Sequence, residues 1–268
     1  MPQYHRYVAV GDSQTEGVGD GDDAGGLRGW ADRLAVRLAA ENPELGYANL
    51  AVRGRTAQQI HAEQLAPALE LKPDLVSIVA GMNDLMRPRC DIAEVADHLE
   101  AMFAACTEAG AEVATFTFPD VSRFSPFARP LLPRVVALNS RVRELSSRYG
   151  VHLAEMYGTP VVTDARLWSP DRLHAGPLGH QLLADAVAEV LGLPDADDSW
   201  TRPLAPRPAP GLSATVATEL RWVGTFLGPW LGRRLRGRSS GDGRTAKRPQ
   251  LLPAEPLTLP LPLPDSLG

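Results

Sequence analysis

The run Asp74-Leu-Val-Ser-Ile-Val-Ala80 constrains the fold of this chain more than any other stretch. It is near-continuously apolar, follows Pro73, and ends in Gly81-Met82-Asn83-Asp84. A strand of that composition is buried on both faces, as a central strand is in a parallel sheet covered by helices. Shorter runs of the same kind recur. Val8-Ala9-Val10 ends in Gly11-Asp12-Ser13, and Tyr47 to Val52 ends at Arg53-Gly54-Arg55. Ala111 to Phe118 reads as a fourth strand and Val151 to Met156 as a short fifth.

Helical segments separate these runs. Trp30 to Ala40 puts Ala31, Leu34, Ala35 and Leu38 on one face. Thr56 caps a helix to about Leu69, with Ile60, Leu65 and Leu69 inward. Asp91 caps a long helix stopped by Gly110, Leu132 to Tyr149 is stopped by Gly150, and Leu178 to Leu191 follows Pro177. Strands alternating with helices on short, right-handed connections predict an α/β fold, a three-layer α/β/α sandwich around a five-stranded parallel sheet.

The composition changes at Pro194, so the chain divides into a domain over 1–194 and an extension over 195–268. Residues 195–211 are dense in proline and read as an extended linker. Ser213 to Arg236 reads as an interrupted helix offering Val216, Leu220, Val223, Leu227, Trp230 and Leu231 as apolar surface, with Pro229 as its kink or end. The Leu/Pro alternation at the end has the composition of a disordered tail, or of one laid along the body. From Thr201 onward there are 10 Lys+Arg against 4 Asp+Glu, while the preceding residues carry 17 against 28. Arg233, Arg234, Arg236 and Arg238, with Trp222, Phe226 and Trp230, make this extension a candidate for peripheral membrane contact, set against packing on the acidic body. No recognised nucleic-acid-binding module is present.

No apolar run approaches the roughly 20 residues of a spanning helix. Met1 to Tyr7 lack an apolar signal core, and Cys90 and Cys106 show neither metal spacing nor a disulfide framework; a cytoplasmic setting is expected. Asp20, Asp22 and Asp23 lack the spacing and closing Glu of a calcium loop, and Gly25 to Gly29 lacks the ending of a phosphate loop.

Chemistry collects at the strand ends, where α/β proteins bind ligands. Ser13, Gly54 and Asn83 follow the first three strands, and Asp171-Arg172-Leu173-His174 precedes the last helix. A serine nucleophile needs a base, and a histidine base needs a carboxylate to fix its tautomer. Asp171, three residues before His174, can reach Nδ1 while Nε2 faces Ser13. The N–H groups of Ser13 and Gly54 and the Asn83 amide are candidate oxyanion donors. His180 lacks an aspartate three residues before it and is assigned to capping or packing, and His5, His61, His98 and His152 to structure. Asp12 is expected to brace the Ser13 loop, Asp84 to orient Asn83 or cap its turn, and Trp168 to line a pocket or sit in the core.

In order and placement, Gly11-Asp12-Ser13, Gly54, Gly81-Met82-Asn83-Asp84 and Asp171-Arg172-Leu173-His174 resemble the four motif blocks of the SGNH hydrolases, also called GDSL-type esterases and lipases. The resemblance covers roughly the first three quarters of the chain. It implies a triad of Ser13, Asp171 and His174, an oxyanion hole of Ser13, Gly54 and Asn83, a small-molecule ester substrate, and no metal or organic cofactor. Gln14 departs from it, standing where the name-giving motif has leucine. Two other readings share these residues: a binding protein without turnover whose extension recruits a partner, and an acyltransferase with the same triad.

Overall fold

The computed structural model describes residues 3–123, 126–206, 221–229, 232 and 239–254. In chain order its first half comprises β1 (Arg6–Gly11), α1 (Ser13–Glu16), the hairpin β2 (Gly21–Asp22) and β3 (Gly26–Leu27), α2 (Trp30–Glu41), β4 (Gly46–Asn49), α3 (Ala57–Glu70), β5 (Leu75–Val79) and α4 (Met82–Leu85). Then come α5 (Ile92–Glu108), β6 (Glu112–Phe116), α6 (Leu132–Tyr149), β7 (His152–Ala154), α7 (Pro177–Val190) and β8 (Arg248–Pro253). Thr56 caps α3 through its hydroxyl and Asp91 caps α5 through its carboxylate, as their sequence positions predict.

The five expected strands run parallel, in the order β7-β6-β5-β1-β4. β1 pairs with β4 on one side and β5 on the other, and the connections change direction there. Such a reversal opens a crevice at the carboxyl ends of the strands. All five residues of β5 are buried, as a run apolar on both faces requires. Helices α2 and α7 pack together on one side of the sheet, and α3, α5 and α6 form the other layer. Trp30 of α2, fully buried, meets the ring of Phe116 edge-on at 5.4 Å, and Tyr7 stacks on Tyr47 at 5.1 Å. Rings of this size contribute about 1.5–3 kcal/mol each when removed from water.

Of the two forms expected for the end of the extension, the described part takes the one laid along the body, but as a strand rather than in polyproline form; residues 255–268, with most of the Leu/Pro alternation, lie outside the described residues. Residues 248–253 neither trail away nor lie as a loose polyproline segment. They form β8, an antiparallel sixth strand on β4, with Tyr47 opposite Leu252 and Asn49 opposite Arg248. Pro249 and Pro253 suit this position, because an edge strand has one side on which no ladder N–H is needed. The expected linker is also partly docked: Asp198–Thr201 forms a 3-10 turn, and the Trp200 indole donates to Glu189 of α7. Of the expected amphipathic helix, residues 221–229 are helical, with a π-turn over Val223–Leu227. Val216, Leu220, Trp230, Leu231, Arg233, Arg234, Arg236 and Arg238 lie outside the described residues. Among the described residues, no helix is long and apolar enough to cross a membrane.

His180 shows how the helical layer is keyed to the site. Wholly buried on α7, it accepts from the Trp30 amide at Nδ1 (3.2 Å) and donates from Nε2 to the Val18 carbonyl (3.2 Å). Burial pushes its pKa from the ordinary 6.5 down to about 3. The unfolded chain therefore binds a proton that the folded chain refuses, and stability falls as pH drops from about 6.5 towards 3. His180→Gln keeps one acceptor and one donor without that proton. Its urea midpoint is expected to fall less than that of the natural protein between pH 7 and pH 4. Parallel profiles would contradict the assignment.

Candidate active site

β1 ends at Gly11, and the chain turns at once into α1 with Ser13 as its first residue. Asp12 caps this short helix by accepting from the Gln14 amide. Its other oxygen accepts from the Asn83 side-chain amide at 2.9 Å, which also donates to the Arg55 carbonyl at 3.0 Å. Asp12 thus braces the Ser13 turn as expected, and it is Asp12 that orients Asn83. Asp84 instead accepts from the Ala57 amide at 3.0 Å, tying α4 to the start of α3. Burial pushes the Asp12 carboxyl up to about 6, against the hydrogen bond from Gln14 and the proximity of His174.

Gly54 follows β4 in a tight turn at φ +78°, the left-handed region that favours glycine. A Cβ there would stand 2.2 Å from the Ser239 hydroxyl, so the extension itself closes over this glycine. The neighbouring Arg53 is fixed from two sides. Glu16 of α1 takes its backbone N–H at 2.7 Å and its guanidinium at 2.8–3.1 Å, and Asp23 takes a further guanidinium N–H at 2.8 Å.

The Asp171–His174 segment is a closed turn. Ser169 N–H donates to the His174 carbonyl, and Trp168 and Ala175 form an isolated β-bridge beneath it. One Asp171 oxygen accepts from the Ser169 hydroxyl (2.6 Å) and from the amides of Leu173 (2.8 Å) and His174 (3.0 Å). The other accepts from His174 Nδ1 at 2.6 Å. Burial alone would raise the Asp171 carboxyl. The His174 hydrogen bond and charge, with the Ser169 hydroxyl, outweigh it and hold the group well below the usual carboxylate range. Ser13, Gly54, Asn83, Asp171 and His174, expected together from their strand ends, all line one cavity of about 800 Å³. Among the described residues, Ser13 Oγ makes no hydrogen bond to His174, whose side-chain partner is Asp171.

Gln14 acquires a role that its sequence position did not signal. Its side-chain N–H donates to the Leu173 carbonyl at 3.1 Å, and its oxygen accepts from the Ala175 amide at 3.2 Å. The residue beside Ser13 therefore clamps both sides of His174, which a leucine could not do. Trp168 lines the cavity while its indole donates to the Val162 carbonyl. The wall is largely apolar, with Met82, Met86, Phe116, Phe118, Met156 and Leu182 among its residues.

Residues of the extension complete the wall: Trp222, Phe226, Ser239 and Ser240 also line the cavity. The segment that follows is held by Arg244 on Asp23 (2.6 Å) and Lys247 on Asp32 (2.6 Å). Of the acidic loop residues, Asp20 pairs with Arg33 and Asp23 with Arg53 and Arg244, while Asp22 accepts from the Ala24 and Gly25 amides; no group of three metal-ligating side chains occurs among the described residues. Trp222, open in the sequence to membrane contact or to packing on the acidic body, is 8% exposed and lines the cavity.

Gln14→Leu restores the residue of the name-giving motif but removes two hydrogen bonds, at about 0.5–1.5 kcal/mol each. Amide exchange at Ala175 is expected to accelerate in this variant while β5 amides stay protected. Unchanged exchange at Ala175 would contradict the clamp.

Residues 9–182 match the profile of the GDSL-like lipase/acylhydrolase family. No match was found among curated proteins. Among solved structures, the chain is similar to LAE5, an alpha/beta hydrolase enzyme from the metagenome of Lake Arreo. That match has 23% identity and a TM-score of 0.58, covering 70% of this chain and 95% of that one. A variant of Axe2, an acetyl xylan esterase from Geobacillus stearothermophilus, matches at 20% identity and TM-score 0.57, over 70% and 95% of the two chains. The psychrotrophic esterase EstA from Pseudoalteromonas sp. matches at 19% and 0.55, over 70% and 97%. At these identities the structures testify to a shared fold. The match over 9–182 carries the assignment: the chain belongs to the GDSL-like lipase/acylhydrolase family, and with it to the carboxylic ester hydrolases.

Proposed function

We propose that the chain is a serine esterase in which Ser13, His174 and Asp171 act as the catalytic triad. The observation that carries this reading is the 2.6 Å hydrogen bond between Asp171 and His174 Nδ1, in a turn clamped by the residue next to Ser13. With Nδ1–H committed to Asp171, Nε2 is left as the basic nitrogen. It takes the Ser13 proton as Oγ attacks the ester carbonyl, and the carbonyl electron pair moves onto oxygen. The Ser13 N–H, among the first N–H groups of α1 that lack an intrahelical partner, the Gly54 N–H and the Asn83 amide stabilise that oxyanion. Collapse expels the alkoxide, which takes the proton from His174 and leaves an acyl group on Ser13. Water, deprotonated by His174, then attacks the acyl-enzyme, and the acid departs as Oγ recovers its proton.

The apolar wall indicates that acyl chains longer than acetyl gain binding energy, at about 0.8 kcal/mol per buried methylene. Contact with an anionic lipid surface is not part of this proposal, because Trp222 is turned into the cavity.

The test is hydrolysis of p-nitrophenyl esters from acetate to palmitate. Ser13→Ala and His174→Ala are each expected to lower kcat by at least about 10⁴-fold, with the double variant no worse than either alone. Asp171→Asn is expected to lose about 10⁴-fold. KM should fall as the acyl chain lengthens from acetate. Hydrolysis that survives Ser13→Ala would overturn the mechanism, and a KM indifferent to chain length would remove the acyl-pocket reading.

A further inference from the structure

The turn that holds Asp171 and His174 is fastened from outside the family-matched region. Trp222, in the C-terminal extension, donates its indole N–H to the Asp171 backbone carbonyl at 3.0 Å. The Arg172 guanidinium lies over the Trp222 ring at 5.0 Å from its centroid. Arg172 is itself held at φ +57°, a left-handed conformation that a residue of its size adopts only when its surroundings enforce it. One side chain of the extension thus engages two consecutive residues of the turn. It pins the carbonyl of the first and stacks under the strained second.

Three of the four interactions on the Asp171 carboxylate depend on how the backbone of the turn is held. Its oxygens meet the Leu173 and His174 amides and His174 Nδ1 only while the backbone at residues 171–172 keeps its dihedrals. Within the turn, Arg172 N–H donates to the Ser169 carbonyl, while no backbone N–H among the described residues donates to the Asp171 carbonyl, which takes its donor from elsewhere. The indole supplies that donor, and its ring adds a cation–π contact of the kind worth most where water is excluded. Trp222 is 8% exposed, so both contacts are shielded.

We infer that Trp222 is a positioning residue of this hydrolase: it acts through the Asp171–Arg172 backbone to keep the Asp171 carboxylate aligned on His174. The C-terminal extension is thereby a working part of the active site. The inference rests on the triad reading proposed above.

The test uses the full chain with Trp222→Phe, which keeps a ring beneath Arg172 but lacks the donor, Trp222→Ala, which lacks both, and Val223→Ala as a control on the same exposed segment. The substrate is p-nitrophenyl acetate, whose acyl group is too short to use the apolar wall. Trp222→Phe is expected to lower kcat about tenfold with KM changed less than about twofold, a loss matching one misplaced hydrogen bond in the transition state. Trp222→Ala should lose more, and Val223→Ala should match the natural protein. The downfield proton resonance of His174 Nδ1–H should broaden or move in Trp222→Phe and remain in place in Ser13→Ala.

A Trp222→Phe protein with natural kcat on acetate and an unmoved resonance would overturn the inference, even if its melting temperature fell or its KM for longer esters rose. Those two changes would mark a structural or pocket-wall residue instead. Should the natural protein fail to turn over acetate, the esterase reading fails on that substrate. The resonance still decides the role of Trp222, which stands if the signal moves and falls if it does not.

Discussion

The site depends on how β1 ends. Val8 and Ala9 are buried between two parallel neighbours, in register with β4 and β5, and Val10 stays in register with β5, so the strand has no freedom to slide or rotate. A one-residue slip would turn every side chain to the opposite face. At Gly11 the regular β4 register has ended, and a buried side chain joins the Val52 N–H, which still reaches the Gly11 carbonyl at 3.3 Å, in satisfying the backbone. Gln64 of α3 accepts from the Gly11 N–H and donates to its carbonyl, both at 2.9 Å. Backbone groups buried at that depth require partners. With them supplied, the chain turns into Asp12 and Ser13 at a point fixed by the sheet.

The rest of the site is referred back to that point through side chains. Asp12 carries Asn83 from the end of β5, Glu16 carries Arg53 and therefore the Gly54 turn from the end of β4, and Gln14 carries both sides of His174. Three loops, distant in sequence, are thus bonded to a segment of five residues. The charged layer extends further, from Arg53 through Asp23 to Arg244, and joins the extension to the same frame. In this arrangement β8 anchors the returning chain on β4 and leaves a proline-bearing strand at that edge of the sheet.

The parallel sheet and the gathering of Ser13, Gly54, Asn83, Asp171 and His174 were legible because they follow from local rules. An apolar run such as Leu75–Val79 declares a doubly covered strand, and strand ends in such folds converge. The brackets that align those residues were not legible. Gln14 and Gln64 are polar residues on helical stretches, and nothing in their neighbourhoods says that one amide will clamp a loop some 160 residues away and another will finish a strand. The strand within the extension was hidden for a related reason. Its proline content predicts no ladder, yet an edge strand tolerates proline, and β4 offered an edge whose presence only the assembled sheet reveals. The seat of Trp222 was hidden because its partners, Asp171 and Arg172, are about 50 residues earlier in the chain.

The central claim is that the end of β1 presents an activated serine. It is tested most directly by exposing the full chain to a fluorophosphonate and mapping the adduct by peptide mass spectrometry. The account predicts a single stoichiometric adduct on Ser13. A folded protein that takes no label, or takes it on another residue, would contradict it.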